Sequence, residues 1–249
     1  MNISDPAFRP AAPLALPENE VQVWRLELDA LAVGEGRLWR LLSADEQARA
    51  GRFLVARVRQ HFVAARAMLR TILAGYLATD PGKLTFRYLH RGKPSLASAC
   101  AEGGIEFNLA HSGGVALLAV CRGHEIGVDV EPLSRDVEVV AIARRFFSAH
   151  EQAQLAEVAP EHKPEAFFRC WTRKEAFIKA KGEGLWLPLH QFDVSIAAGS
   201  QNALLATRPD SSEAARWSLR EVDAGAGYVG ALCIAGNNFR VRNWNSTES

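Results

Sequence analysis

Apolar and polar positions alternate from Val21 to Leu28 (VQVWRLEL) with a period of two, which predicts a half-buried strand over 21–28. The pattern then lengthens. Ser43-Ala44-Asp45-Glu46 sets an N-cap hydroxyl three residues before a carboxylate, and helix formers continue to about Leu77, where Asp80-Pro81-Gly82 stops the run. Gly51 marks a break or bend inside it. Strand-like pieces at 84–89, 105–109, 115–121 and 125–131 are separated by Arg91-Gly92-Lys93-Pro94, Ser112-Gly113-Gly114 and Arg122-Gly123-His124. Helices are predicted at about 136–146, 149–159 and 164–181, and short strands over 185–244.

The order strand, long helix, strands is thus used twice, and words recur with it. Ser43 to Ala48 (SADEQA) matches Ser148 to Ala153 (SAHEQA) at an offset of 105, and Arg66 to Arg70 lies on Glu175 to Lys179 at an offset of 109. Val115 to Val120 (VALLAV) has a partner in Val229 to Ile234 (VGALCI). The expected architecture is α+β, with two similar lobes divided as 1–122 and 123–249, each a long helix on a small, mostly antiparallel sheet. Two such halves facing each other create a cleft at their junction, where sites preferentially lie.

Composition narrows the class. Of 249 residues 48% are apolar and 23% charged, which excludes a disordered, collagenous or coiled-coil chain. The net charge of +1 supplies no global field for nucleic acid or an anionic membrane, so any anion site is local. Cys100, Cys121, Cys170 and Cys233 lack metal-binding spacing and read as buried thiols. Residues 1–17 have neither the basic nor the apolar segment of a secretion signal, and no apolar run is long enough for a spanning helix. The expected setting is the cytoplasm.

Several charged groups carry candidate chemistry. Gln47 to Thr79 contains no acid, and an unbroken helix would put Arg52, Arg59, Arg66 and Arg70 within a stripe of about 40°. Such a stripe is either a solvated face or a landing surface for phosphates. Asp129 and Glu131 in Ile126-Gly127-Val128-Asp129-Val130-Glu131 share one face of a strand. They read as an exposed acidic pair or as oxygen ligands of a divalent ion, with magnesium favoured over zinc. Glu175 and Lys179 stand at i and i+4 on a helix rich in Phe and Trp, either a surface pair or a partly buried one. His111 lies between two predicted strands, where a lone histidine is more often structural than functional.

In order, Gly92-Lys93-Pro94, FNLAHSG (107–113), IGVDVE (126–131), FFSAHE (146–151) and WTRKEAFIK (171–179) followed by Gly182 and Gly184-Leu185 resemble the larger, surfactin-synthetase-activator type of phosphopantetheinyl transferase. The resemblance runs from about Ser43 to Leu189, and Asp129 precedes Glu175 by 46 residues, as that family's bipartite signature requires. It implies a two-lobed monomer with pseudo-twofold symmetry and the active site at the lobe junction. The first lobe would serve coenzyme A and the partner surface, the second the metal and catalytic motifs. The implied reaction moves the phosphopantetheine arm of coenzyme A onto a serine of an apo acyl or peptidyl carrier protein. It releases adenosine 3′,5′-bisphosphate and requires Mg2+.

Carried over by position, Asp129, Glu131 and Glu175 are implied metal ligands. Glu175 is the implied base, and Lys179 the group that stabilises or protonates the leaving phosphate. Arg49, Arg57, Lys93, Pro94, Ala110, His111, Asp129, Lys174 and Lys179 are implied contacts of the cofactor, Lys93 and His111 being aimed at phosphates. Two positions depart from the family: Ala110 stands where several relatives have serine, and Glu46 where some have lysine. Carriers of fatty acid, polyketide, nonribosomal peptide or lysine-pathway type are all compatible. No nucleic-acid or membrane partner is expected.

Overall fold

The computed structural model describes residues 13–88, 92–97, 104–133, 138–182 and 186–245. Arg91, Cys100, Gly184 and Leu185, named above, lie outside them. The chain forms two compact units, and neither is continuous in sequence. The first takes the chain up to Tyr88, Pro94–Gly123 and the C-terminal strand from Arg240; the second takes Lys93 and His124–Phe239.

In the first unit, the alternating segment is β1 (Glu20–Glu27), followed by the short helices α1 (Leu28–Ala32) and α2 (Glu35–Trp39). The predicted long helix is two helices. α3 (Ala44–Ala50) ends at Gly51, and α4 (Ala56–Leu77) begins after a turn. A minor pair, β2 (Phe86–Tyr88) and β3 (Pro94–Leu96), precedes β4 (Ile105–Ser112) and β5 (Val115–Arg122). The main sheet has the order β11-β1-β5-β4, where β11 (Arg240–Asn245) runs parallel to β1 and the other neighbours are antiparallel. α4 contributes its buried residues Phe62 to Tyr76 to a core that includes Trp24, Leu26, Phe107 and Leu118.

In the second unit, β6 (Ile126–Pro132) leads to α5 (Val139–Phe146), α6 (Ala149–Glu157) and the long α7 (Lys163–Lys181). Two short strands, β7 (Phe192–Val194) and β8 (Leu204–Thr207), pair with each other. β9 (Trp217–Val222) and β10 (Tyr228–Ala235) complete a three-stranded antiparallel sheet of order β6-β10-β9. α7 packs on it through Phe177, Ala176 and Ala180, against Trp217, Ala231 and Cys233. Among the described residues no helix is long and apolar enough to cross a membrane. Cys121, Cys170 and Cys233 are buried, the last two as free thiols.

Candidate functional site

β6 turns Gly127, Asp129 and Glu131 to the same side, as the strand's period of two dictates. α7 crosses that side at unusually short range. A Cβ placed on Gly127 would lie 2.1 Å from the Ala176 carbonyl oxygen and 2.3 Å from the Ala180 nitrogen. Only glycine permits this approach, and it brings Asp129 against the polar edge of α7. Lys179 Nζ donates to Asp129 Oδ1 at 2.6 Å.

The acids are electrostatically coupled. Burial pushes the Asp129 carboxyl up to about 7; Lys179 opposes the shift, and the charges of Glu175 and Glu131 add to it. Burial likewise raises Glu175, again opposed by Lys179 and reinforced by Glu131. Asp129 is 5% exposed, and its Oδ2 is buried without a hydrogen-bond partner. Among the described residues, no three His, Cys, Asp or Glu side chains are grouped closely enough to hold an ion together. Asp129, Glu131 and Glu175 therefore sit within each other's fields without forming a closed triad, and the cation in contact with Asp129 is Lys179.

Lys174 stands elsewhere. It is on the opposite flank of α7, fully buried, with Nζ 2.7 Å from Glu151 Oε1 and donating to the Leu189 and Phe192 carbonyls at 2.7 Å each. An amine so enclosed holds α6 and the chain around β7 to α7. Lys93 is also engaged by backbone. Its Nζ donates to the Ile126 carbonyl at 2.8 Å and to the Ala180 carbonyl at 3.4 Å.

The remaining expected contacts belong to the first unit. Pro94 opens β3 opposite Tyr88. Ala110 is buried in β4, and His111 beside it is exposed. Arg49 is exposed, with its guanidinium 5.3 Å from the Phe62 ring. Arg57 forms a two-pronged pair with Asp29, whose other contact is His61 Nε2 at 2.8 Å. These links tie α1 to the start of α4.

The arginine stripe does not exist as a surface. Arg52 precedes α4, and Arg66 and Arg70 are buried against Glu46, Arg66 closely and Arg70 at 2.6 Å. Arg70 also donates to the Pro81 and Leu84 carbonyls. Two cations around one buried carboxylate form an internal network, which overturns the phosphate-landing reading for both. Glu46 is its anchor, and the repeated SAxEQA word was the signal available for it: Glu151 binds Lys174 in the same manner.

Comparison with known proteins follows the same outline. Residues 125–233 match the family described as the 4′-phosphopantetheinyl transferase superfamily, and residues 36–123 the description 4′-phosphopantetheinyl transferase, N-terminal. The chain is 38% identical over 231 residues to the 4′-phosphopantetheinyl transferase HetI of Nostoc sp. (strain PCC 7120), covering 93% of this chain and 94% of that protein. It is 28% identical over 206 residues to the 4′-phosphopantetheinyl transferase Sfp of Bacillus subtilis (strain 168), covering 82% and 86%. A further Bacillus subtilis 4′-phosphopantetheinyl transferase is 30% identical over 205 residues, with coverage of 82% and 87%.

Proposed function

Because the chain belongs to the 4′-phosphopantetheinyl transferase superfamily, in its larger Sfp-like form, we propose that the β6–α7 seam carries out arm transfer with Asp129, Glu131, Glu175 and Lys179 as its working groups. The protein is an enzyme that transfers phosphopantetheine from coenzyme A to apo carrier proteins. The observation that supports the site assignment is the Gly127 crossing, beside which Lys179 of α7 meets Asp129 of β6.

The carrier serine oxygen attacks the phosphorus bearing the pantetheine arm. The bond to the bridging oxygen breaks, and adenosine 3′,5′-bisphosphate leaves. Glu175 accepts the serine proton; burial and the charge of Glu131 raise its proton affinity above that of an ordinary carboxylate, which favours that task. The Lys179 ammonium faces the charge that grows on the departing phosphate.

The donors fit a magnesium ion in kind. They are all oxygen, and Asp129 Oδ2 is a buried acceptor without a hydrogen-bond partner. Asp129 presents the oxygen that an ion would take, and Glu131 and Glu175, which are not grouped with it closely enough to share an ion in this structure, would have to close on it to complete the set. When bound, Mg2+ supplies Lewis-acid polarisation of the attacked phosphorus and counter-charge for the leaving group.

Intact-mass spectrometry of a panel of apo carriers, incubated with coenzyme A and Mg2+, tests the reading. A gain of one phosphopantetheine arm is expected on at least one carrier, with adenosine 3′,5′-bisphosphate in the supernatant and loss of both on chelation. Unmodified carriers throughout the panel would overturn it.

A further inference from the structure

We propose that Lys93 is a positioning residue, which together with Gly127 clamps the end of α7 onto the start of β6 and so sets the contact between Lys179 and Asp129. The inference rests on the assignment of Asp129, Glu175 and Lys179 to the transfer reaction, and it gives Lys93 a task other than binding a cofactor phosphate.

Two independent features converge on the same few residues. The first is steric. The missing Cβ of Gly127 lets the α7 backbone from Ala176 to Ala180 lie on the strand, with a hypothetical Cβ only 2.9 Å from the Lys179 carbonyl carbon. The second is polar. Lys93 Nζ spans the Ile126 carbonyl, beside that glycine, and the Ala180 carbonyl in the last turn of α7. The last four carbonyls of a helix have no partner within it, and the helix dipole places negative charge there, so an ammonium is favoured. The Gly182 N–H, in the left-handed conformation at φ 68°, serves the Ile178 and Lys179 carbonyls. Lys93 serves the Ala180 carbonyl.

Lys179 is the residue immediately before Ala180, and Asp129 is two residues beyond Gly127. A backbone shift at this crossing is therefore delivered almost undiminished to the Lys179–Asp129 contact. The glycine permits the approach, and the lysine holds it. Reacting groups tolerate little displacement: about 1 Å of misplacement can cost about 100-fold in rate.

Steady-state kinetics of Lys93→Met and Lys93→Arg separate this role from phosphate binding. For Lys93→Met we expect kcat to fall about 10- to 100-fold with KM for coenzyme A changed less than about twofold. Lys93→Arg, which retains donors for both carbonyls, should recover part of the loss. A raised KM for coenzyme A with kcat intact would overturn the proposal and return Lys93 to the phosphates.

A readout without turnover guards against failure of the functional assignment. Denaturant unfolding of Asp129→Asn, Lys179→Met and the double variant yields the coupling between the two side chains. That coupling should fall toward zero when the cycle is repeated in the Lys93→Met background, and an unchanged coupling would sink the clamp. If the wild-type protein modifies no carrier yet its coupling depends on Lys93, the clamp stands and only the reaction assignment fails. Gly127→Ala should lose the same coupling; if it does not fold, the Lys93 cycle decides alone.

Discussion

Asp129 is the residue on which burial and charge act most strongly together. Its carboxyl holds a proton up to about pH 7 in the folded chain, against an ordinary value of 3.8. A group with a raised folded value contributes stability that is complete below the unfolded value and lost as pH rises through the folded one. The contribution of Asp129 to the stability of the metal-free protein should therefore decline between about pH 4 and pH 7, with Glu175 acting in the same direction. Thermal melts across that range should show a shallower decline for Asp129→Asn; an identical slope would mean that Asp129 does not titrate there. Glu175→Gln retains size and hydrogen bonding but cannot accept the proton. Its turnover should fall by about 100- to 10,000-fold while calorimetry still records coenzyme A binding. The DxE spacing and the Glu175–Lys179 interval were legible in the sequence. Their partners were not: Lys179 chose Asp129, 50 residues away, over its helical neighbour Glu175.

At the scale of elements, the SxxEQ word does the same job twice. The Ser43 N–H donates to Glu46 Oε2 at 3.0 Å and the Ser148 N–H to Glu151 Oε2 at 2.8 Å, the capping-box contact each sequence predicted. The following glutamine turns back as well, Gln47 to the Leu42 carbonyl and Gln152 to the Phe147 carbonyl. Each glutamate then spends its second oxygen on a cation from the long helix of its unit, Arg66 or Lys174. Lys174→Met leaves Glu151 buried and uncompensated, which costs about 3–5 kcal/mol. Urea unfolding should report that loss with KM for coenzyme A unmoved, whereas a kinetic defect at full stability would restore Lys174 to the cofactor. The capping boxes were readable because they operate within four residues. Their long-range ion pairs depend on helix packing, which no short pattern encodes.

Across the whole chain, connectivity and compactness part company. The main division into compact units falls at Gly123/His124, but the C-terminal strand returns to the first unit. Trp244 stacks on Trp24 with centroids 5.0 Å apart, and its Nε1 donates to Gln22 Oε1 at 3.0 Å. Gln22 Oε1 also accepts from Tyr76 of α4 at 2.6 Å, so the final strand is joined to the core of the first unit. Trp244→Ala should lower stability by about 1–3 kcal/mol through lost stacking and a lost, partly buried hydrogen bond. Hydrogen exchange should then accelerate in β1 and leave β6, β9 and β10 unchanged; uniform acceleration would mean that the effect is not confined to the first unit.

Strand alternation, helix caps, the break at Gly51 and the ordered motifs are properties of short stretches, and the sequence alone determined them because propensity and periodicity act over a few residues. Tertiary structure decided which charges are enclosed and which partners they meet. It buried Arg66, Arg70 and Lys174, brought Lys93 to backbone carbonyls, and set Asp129 beside Lys179. The physical reason is that a charged side chain is stabilised by whatever partner packing brings within a few ångströms. Here that was settled by α7 resting on a strand that has no side chain at Gly127.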